Sequence, residues 1–178
     1  LTTTGALTSS LNPATYGSLL LLTAQVFPAT ATGTVTVKDS GTSIGSITLG
    51  HASGSLNISS LTVGSHTLTA VYAGNSTHSG STSPALVQVI TSTGSITTLT
   101  SSANPAEENQ VITFTATISR SDATGTVTFR NGTQIIGSTT LGQGSGSITT
   151  AFHTNGTNFI TATYAGDSNV TGSTSSTL

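Results

Sequence analysis

The sequence predicts an all-β fold, two tandem β-sandwiches of about seven strands each. Three observations carry that expectation. Segments recur at a constant spacing, apolar residues alternate with period two, and Gly, Asn, Asp or Pro breaks the alternation roughly every 8–12 residues. The repeat is gapless. Leu7-Thr8-Ser9-Ser10-Leu11-Asn12-Pro13-Ala14 returns as Leu99-Thr100-Ser101-Ser102-Ala103-Asn104-Pro105-Ala106, an offset of 99 minus 7, or 92. Ala70-Val71-Tyr72-Ala73-Gly74-Asn75 returns as Ala162-Thr163-Tyr164-Ala165-Gly166-Asp167 at the same offset. The expected domains are therefore 1–92 and 93–178, against the single domain that length alone suggests.

In the first copy the expected strands lie near 2–8, 19–26, 33–38, 43–49, 54–59, 65–72 and 85–90. The first is uncharged and β-prone. The second alternates Leu20, Leu22, Ala24 and Val26, matched by Ile112, Phe114, Ala116 and Ile118 in the second copy. Val35 and Val37 alternate with Thr in the third, as Val127 and Phe129 do one copy on. A hairpin to the fourth strand is signalled by Asp39-Ser40-Gly41 and, more strongly, by Asn131-Gly132, a pair suited to the positive φ values of a type I′ turn. Leu56/Ile58, Leu68/Ala70/Tyr72 and Val87/Val89 supply the alternation of the last three strands. No helical period competes. Seven strands in about 92 residues is the size of an immunoglobulin-like sandwich. Antibody-type domains are excluded, because the chain has no Cys and no Trp.

Composition narrows function. Charged residues make up 4% of the chain, against about 25% in ordinary domains. Hydroxyl groups replace them, with 40 Thr and 28 Ser. Three basic residues, Lys38, Arg120 and Arg130, are too few for the phosphate contacts of nucleic-acid binding. No apolar run approaches the roughly 18 residues of a helical membrane span. The absence of Met marks a processed product or a fragment.

The string Asn104-Pro105, the strand Thr113 to Thr117, the segment Ala123 to Phe129 and the run Ala162 to Asp167 together resemble the bacterial Ig-like repeat. The likeness covers nearly the whole chain, twice. It implies tandem arrays in secreted and cell-surface proteins that serve as stalks, adhesins or filament building blocks. The first copy departs from the pattern, with Asn75 in place of the acid and Leu19–Leu22 in the Thr-Phe strand.

Candidate chemistry is sparse, and no catalytic residue, metal site or cofactor is expected. Glu107 and Glu108 are adjacent, so on an extended chain they face opposite ways, and they follow a turn. His51, His66, His78 and His153 each meet a different residue type in the other copy, which favours surface or interface histidines over metal ligands. Asp167 caps its own turn as an Asx residue. Gly144-Ser145-Gly146-Ser147 has turn composition, with no helix after it to make a phosphate loop. Five sequons begin at Asn57, Asn75, Asn131, Asn155 and Asn169, and none is expected on an inward position, as glycan attachment requires.

The termini suggest assembly. The last strand of copy one, Ala85 to Ile90, maps to 177–182, but the sequence stops at Leu178. The second sandwich therefore lacks most of its last strand, and an open edge needs a partner. One candidate is a donor strand from a neighbouring copy, with Leu1, Thr2, Thr3 and Thr4 at the head of the available segment; the other is that the chain is a fragment cut from a longer array, its next module upstream or downstream. Outward Leu19 and Leu21, with Tyr16 nearby, form an apolar strip on the first copy and a second candidate contact. The expectation is a structural subunit of an extracellular, cell-surface filament or stalk whose partners are identical subunits. The alternatives are an adhesive or carbohydrate-binding module facing surface glycans or receptors, and a spacer in a larger secreted protein.

Overall fold

The computed structural model describes residues 1–178 and contains no helix. It divides into two compact units, Leu1–Thr91 and Ser92–Leu178. The first unit holds β1 (Thr4–Ser9), β2 (Ala14–Thr15), β3 (Leu20–Phe27), β4 (Gly33–Asp39), β5 (Thr42–Leu49), β6 (Ser53–Ile58), β7 (Gly64–Tyr72), β8 (Ser81–Thr82) and β9 (Leu86–Thr91). The second holds β10 (Thr97–Ser101), β11 (Ile112–Ile118), β12 (Thr126–Asn131), β13 (Gln134–Thr140), β14 (Ser145–Thr150), β15 (Ile160–Gly166) and β16 (Thr171–Thr174).

Each unit is a sandwich of two sheets. In the first, β1-β3-β6 faces β2-β9-β7-β4-β5, with β8 also on β7. In the second, β10-β11-β14 faces β13-β12-β15-β16. The period-two pattern decides which side chains meet between the sheets. Leu20, Leu22, Ala24 and Val26 are buried along β3, while Leu21 and Phe27 are exposed. Ile112, Phe114, Ala116 and Ile118 repeat that burial along β11. Tyr72 and Tyr164 occupy equivalent core positions, at 2% and 1% exposure. Full burial of one such apolar side chain contributes about 1.5–3 kcal/mol.

Hydrogen bonds outside the ladders also repeat at the offset of 92. Ser83 accepts from the Ala70 N–H at 3.0 Å and Ser175 accepts from the Ala162 N–H at 3.0 Å. The Ser79 N–H donates to the Leu1 carbonyl at 2.8 Å, and the Thr171 N–H to the Thr93 carbonyl at 2.9 Å.

Three local expectations need correction. The type I′ geometry falls in the first copy, where Ser40 (φ 48°) and Gly41 (φ 91°) both take positive φ. In the second copy only Gly132 does, because Asn131 stays in β12 and pairs with Gln134. Its amide is tied across the strand, as described below. Ser145, Gly146 and Ser147 belong to β14, and the turn lies two residues earlier, at Gly142 to Ser145. In β9 the alternation is real but its face is reversed. Val87 and Val89 are exposed, whereas Gln88 and Ile90 are buried. The Gln88 amide nitrogen donates to the Leu11 carbonyl at 3.0 Å, which compensates that half of the buried amide, while its Oε1 is buried without a partner.

Candidate functional site

The polar side chains serve turns and strand pairs within each unit. Asp39 and His66 join β4 to β7, with Oδ2 and Nδ1 at 2.6 Å and the second imidazole nitrogen 2.8 Å from the Thr62 carbonyl. Burial acts to lower the His66 pKa, but the Thr62 carbonyl and the Asp39 carboxylate outweigh it and hold the imidazole above its ordinary value. The same positions in the second unit hold Asn131 and Asn158, at 2.7 Å.

Asp167 caps the turn after β15. Burial opposes its charge, yet it sits well below the usual carboxylate range. Four donors produce that net result: the N–H groups of Thr124, Asn169 and Val170, and the Thr124 hydroxyl. Burial first, and then the Asp167 carboxylate, push the Tyr164 phenol up to about 12. Asn75 does the same work without a charge, accepting from the Thr77 and His78 N–H groups at 2.9 Å each and donating to the Thr32 carbonyl at 3.1 Å.

The histidines do not converge, and no three His, Asp or Glu side chains come together. His51 is exposed in a turn, and His153 meets Asn109. His78 departs from the surface expectation: it lies in the loop after β7 and is buried, with Thr30 and Thr77 on its two ring nitrogens. Glu107 and Glu108 are exposed beside a turn.

Among the sequons, Asn57 and Asn155 are exposed, and neither side-chain amide is held by another group. Asn169 is half-buried in the turn that Asp167 caps. Asn75 and Asn131 are structural. The Asn131 amide donates to Asn158, and its oxygen accepts from the Phe159 N–H at 3.0 Å.

The proposed donor segment is already engaged in its own unit. The Leu1 ammonium donates to the Thr77 carbonyl at 2.7 Å, and the Thr3 hydroxyl to the Ser79 carbonyl at 2.8 Å. Thr3 is buried and Thr4 begins β1, although Leu1 and Thr2 keep exposed side chains. Residues 93 and 95 make equivalent contacts in the second unit, so this segment is each sandwich's own edge. Tyr16 is half-buried against the first core rather than part of an outward strip. Leu19 and Leu21 are exposed at 66% and 42%; of their counterparts, Val111 is exposed at 68% and Thr113 is polar and half-buried.

Leu178 pairs with Ile160 through two main-chain hydrogen bonds of 2.9 and 3.0 Å. In the first unit the equivalent Leu86–Leu68 pair continues to Ile90–Gly64, and β2 runs parallel to Ile90 and Thr91. Two further differences separate the units. Residues 156–159 are not strand, although their counterparts 64–67 are, and Ala106 is exposed, although its counterpart Ala14 is 3% exposed. A groove of about 550 Å³ occupies the place, lined by Asn104, Ala106, Glu107, Phe152, Gly156 and Leu178 among others. Phe152 packs edge-on to the buried Phe114, with centroids 6.4 Å apart. Sequence reasoning found Leu178 but missed Asn104 and Phe152. The repeated Asn-Pro pair was the available signal for the first.

The model of the bacterial Ig-like domain (group 3) matches residues 7–91 and again 99–178. Among solved structures, the fibronectin(III)-like modules of Clostridium thermocellum CbhA are similar at 20% identity, over 96% of this chain and 91% of that one, with a TM-score of 0.41. The human OSCAR ligand-binding domain is similar at 12% identity, over 98% and 97%, also with a TM-score of 0.41. Latent PorU from Porphyromonas gingivalis is similar at 15% identity over 98% of this chain and 20% of that one, with a TM-score of 0.36. No curated protein matches the chain. On the family match, which covers both units, this chain belongs to the bacterial Ig-like domain family, group 3, as two tandem members.

Proposed function

We propose that the chain is a structural element of an extracellular stalk or filament, in which sandwiches of this kind follow one another head to tail. The observation that carries this reading is what repeats and what does not. Backbone-supporting hydrogen bonds such as Ser83–Ala70 and Ser175–Ala162 recur at a 92-residue spacing. Reactive side chains do not: Asp39–His66 becomes Asn131–Asn158. A scaffold held constant while titratable groups change suits load-bearing repetition better than catalysis. Family context agrees. Ig-like families are typically non-catalytic, and their members are often found in extracellular or surface proteins. The uncharged, hydroxyl-rich surface supports the same reading.

Immunogold labelling of thin sections of source cells, with an antibody raised against this chain, tests the proposal. Gold on surface stalks or fibres is the expected outcome. Label confined to the cell interior overturns it.

A further inference from the structure

We propose that Asn57 is a glycan attachment site whose sugar covers an apolar strip formed by Leu19 and Leu21. The first sugar is joined through the Asn57 side-chain nitrogen and lies across the outer face of β3.

Strip and sequon are cross-strand neighbours. β6 pairs antiparallel with β3, and Asn57 stands directly opposite Leu21. Side chains in such a pair share one face of the sheet, with Cβ atoms about 4.5–5.5 Å apart. That face is the outer one. The flanking Leu20, Leu22 and Ile58 are buried, whereas Leu21 is 42% exposed and Leu19, which continues the strip, 66%. Asn57 is exposed too, no group of the chain holds its amide, and the exposed Ser59 completes the sequon Asn57-Ile58-Ser59.

Both features are lost together in the second unit. At the 92-residue offset Leu21 becomes Thr113, and the sequon becomes Thr149-Thr150-Ala151. Thr113 and Thr149 still pair, so the geometry is kept while the apolar side chain and the attachment residue both go. No charged side chain on the outer face of the first unit can lay its stem over the leucines, since Ala6, Thr8, Thr23, Gln25, Ser53 and Ser55 hold the neighbouring positions. β6 is an edge strand, in the order β1-β3-β6. A sugar there has room on its open side, and it bars another strand from an edge that has no Lys or Pro to protect it. A pyranose ring carries hydroxyls at its rim and C–H groups on its face. Covering leucine methyls with that face is favourable while the hydroxyls stay in water. Attachment uses an activated donor, a glycosyl diphosphate carried by a lipid or a nucleotide. The bond from the anomeric carbon to the diphosphate oxygen breaks, a bond to Asn57 Nδ2 forms, and one amide proton leaves with the diphosphate.

The site does not depend on the proposed function, which surface labelling tests separately. The experiment uses the 178-residue chain produced in its source cells with ¹³C-methyl-labelled leucine. Glycopeptide mass spectrometry should find sugar on Asn57, and nuclear Overhauser contacts should join its ring protons to the methyl groups of Leu21 and Leu19. Asn57→Gln should lose those contacts and raise the fluorescence of a hydrophobic dye such as anilinonaphthalene sulfonate. In a Leu19→Ser, Leu21→Ser background the same change should leave the fluorescence unaltered, because no strip remains to be uncovered. The three positions are exposed, so the variants keep the fold, and their amide spectra check this. A bare Asn57 in the native chain overturns the proposal. So does a sugar without contacts to the leucine methyls, or a dye response to Asn57→Gln that is equal in both backgrounds. A protein that co-purifies with the bare chain and is released by Leu21→Ser overturns it in favour of a protein partner.

Discussion

The His66 imidazole lies 2.6 Å from the Asp39 carboxylate, and at the same two positions of the second unit Asn158 lies 2.7 Å from Asn131. One strand pair is thus held by an ionisable contact and its repeat by a neutral one. The folded-state pKa of His66 is raised, so its contribution is complete below the unfolded value near 6.5 and is lost as pH rises through the folded value. Hydrogen exchange resolved by unit should show the first unit becoming less protected as pH rises above about 6.5, beyond the intrinsic rate change. The second should not change in this way. The double substitution Asp39→Asn, His66→Asn should abolish the difference. Equal pH dependence in both units rules out this account.

Asp167 predicts the opposite sign, in the other unit. Its pKa is lowered, so its contribution is complete above the unfolded carboxylate value near 4 and is lost as pH falls below it. Asp167→Ala should cost about 2 kcal/mol by stranding several donors. Asp167→Asn should retain most of the stability, because Asn75 already caps the equivalent turn as an amide. Urea unfolding of the three chains at pH 7 and pH 3 measures both effects. If Asn and Ala prove equally damaging, the cap depends on charge and the analogy with Asn75 fails.

Gly166 stands at φ 89°, and an added Cβ would lie 2.8 Å from the Gly172 nitrogen and 2.9 Å from the Val170 carbonyl oxygen. Both neighbours are main chain and cannot swing away. Gly166→Ala is therefore expected to destabilise the second unit by at least ~2 kcal/mol, and Gly74→Ala the first by a similar amount. Gly94→Ala is the control, since nothing lies within 4 Å of the place its methyl group would take. Calorimetric melting of the three variants decides the matter.

Glycan occupancy should follow the hydrogen bonds rather than the sequons. Asn57 and Asn155 are exposed with free amides, whereas the Asn75 and Asn131 amide nitrogens are committed to Thr32 and Asn158. Glycopeptide mass spectrometry of native material that carries N-glycans should place them on Asn57 or Asn155 first. Sugar found mainly on Asn75 or Asn131 contradicts this ordering.

What the sequence determined by itself was local and periodic. Alternation specified the strands from Leu20 to Val26 and from Leu68 to Tyr72, because each apolar side chain there has only one face on which to be buried. The 92-residue repeat then carried those strands into the second copy. Tertiary structure decided what depends on which neighbour is present. The face of β9 turned on Gln88, whose amide nitrogen finds acceptors inside in the Leu11 carbonyl and the Asn12 side chain. Leu1 to Thr4 looked like a free donor until the Thr77 and Ser79 carbonyls occupied it. Gly156 to Phe159 lost the strand state that Gly64 to Thr67 hold, with no pairing strand alongside. Strand pairing is a relation between distant segments, and a hydrogen bond has no trace in the residue that makes it until its partner is in place.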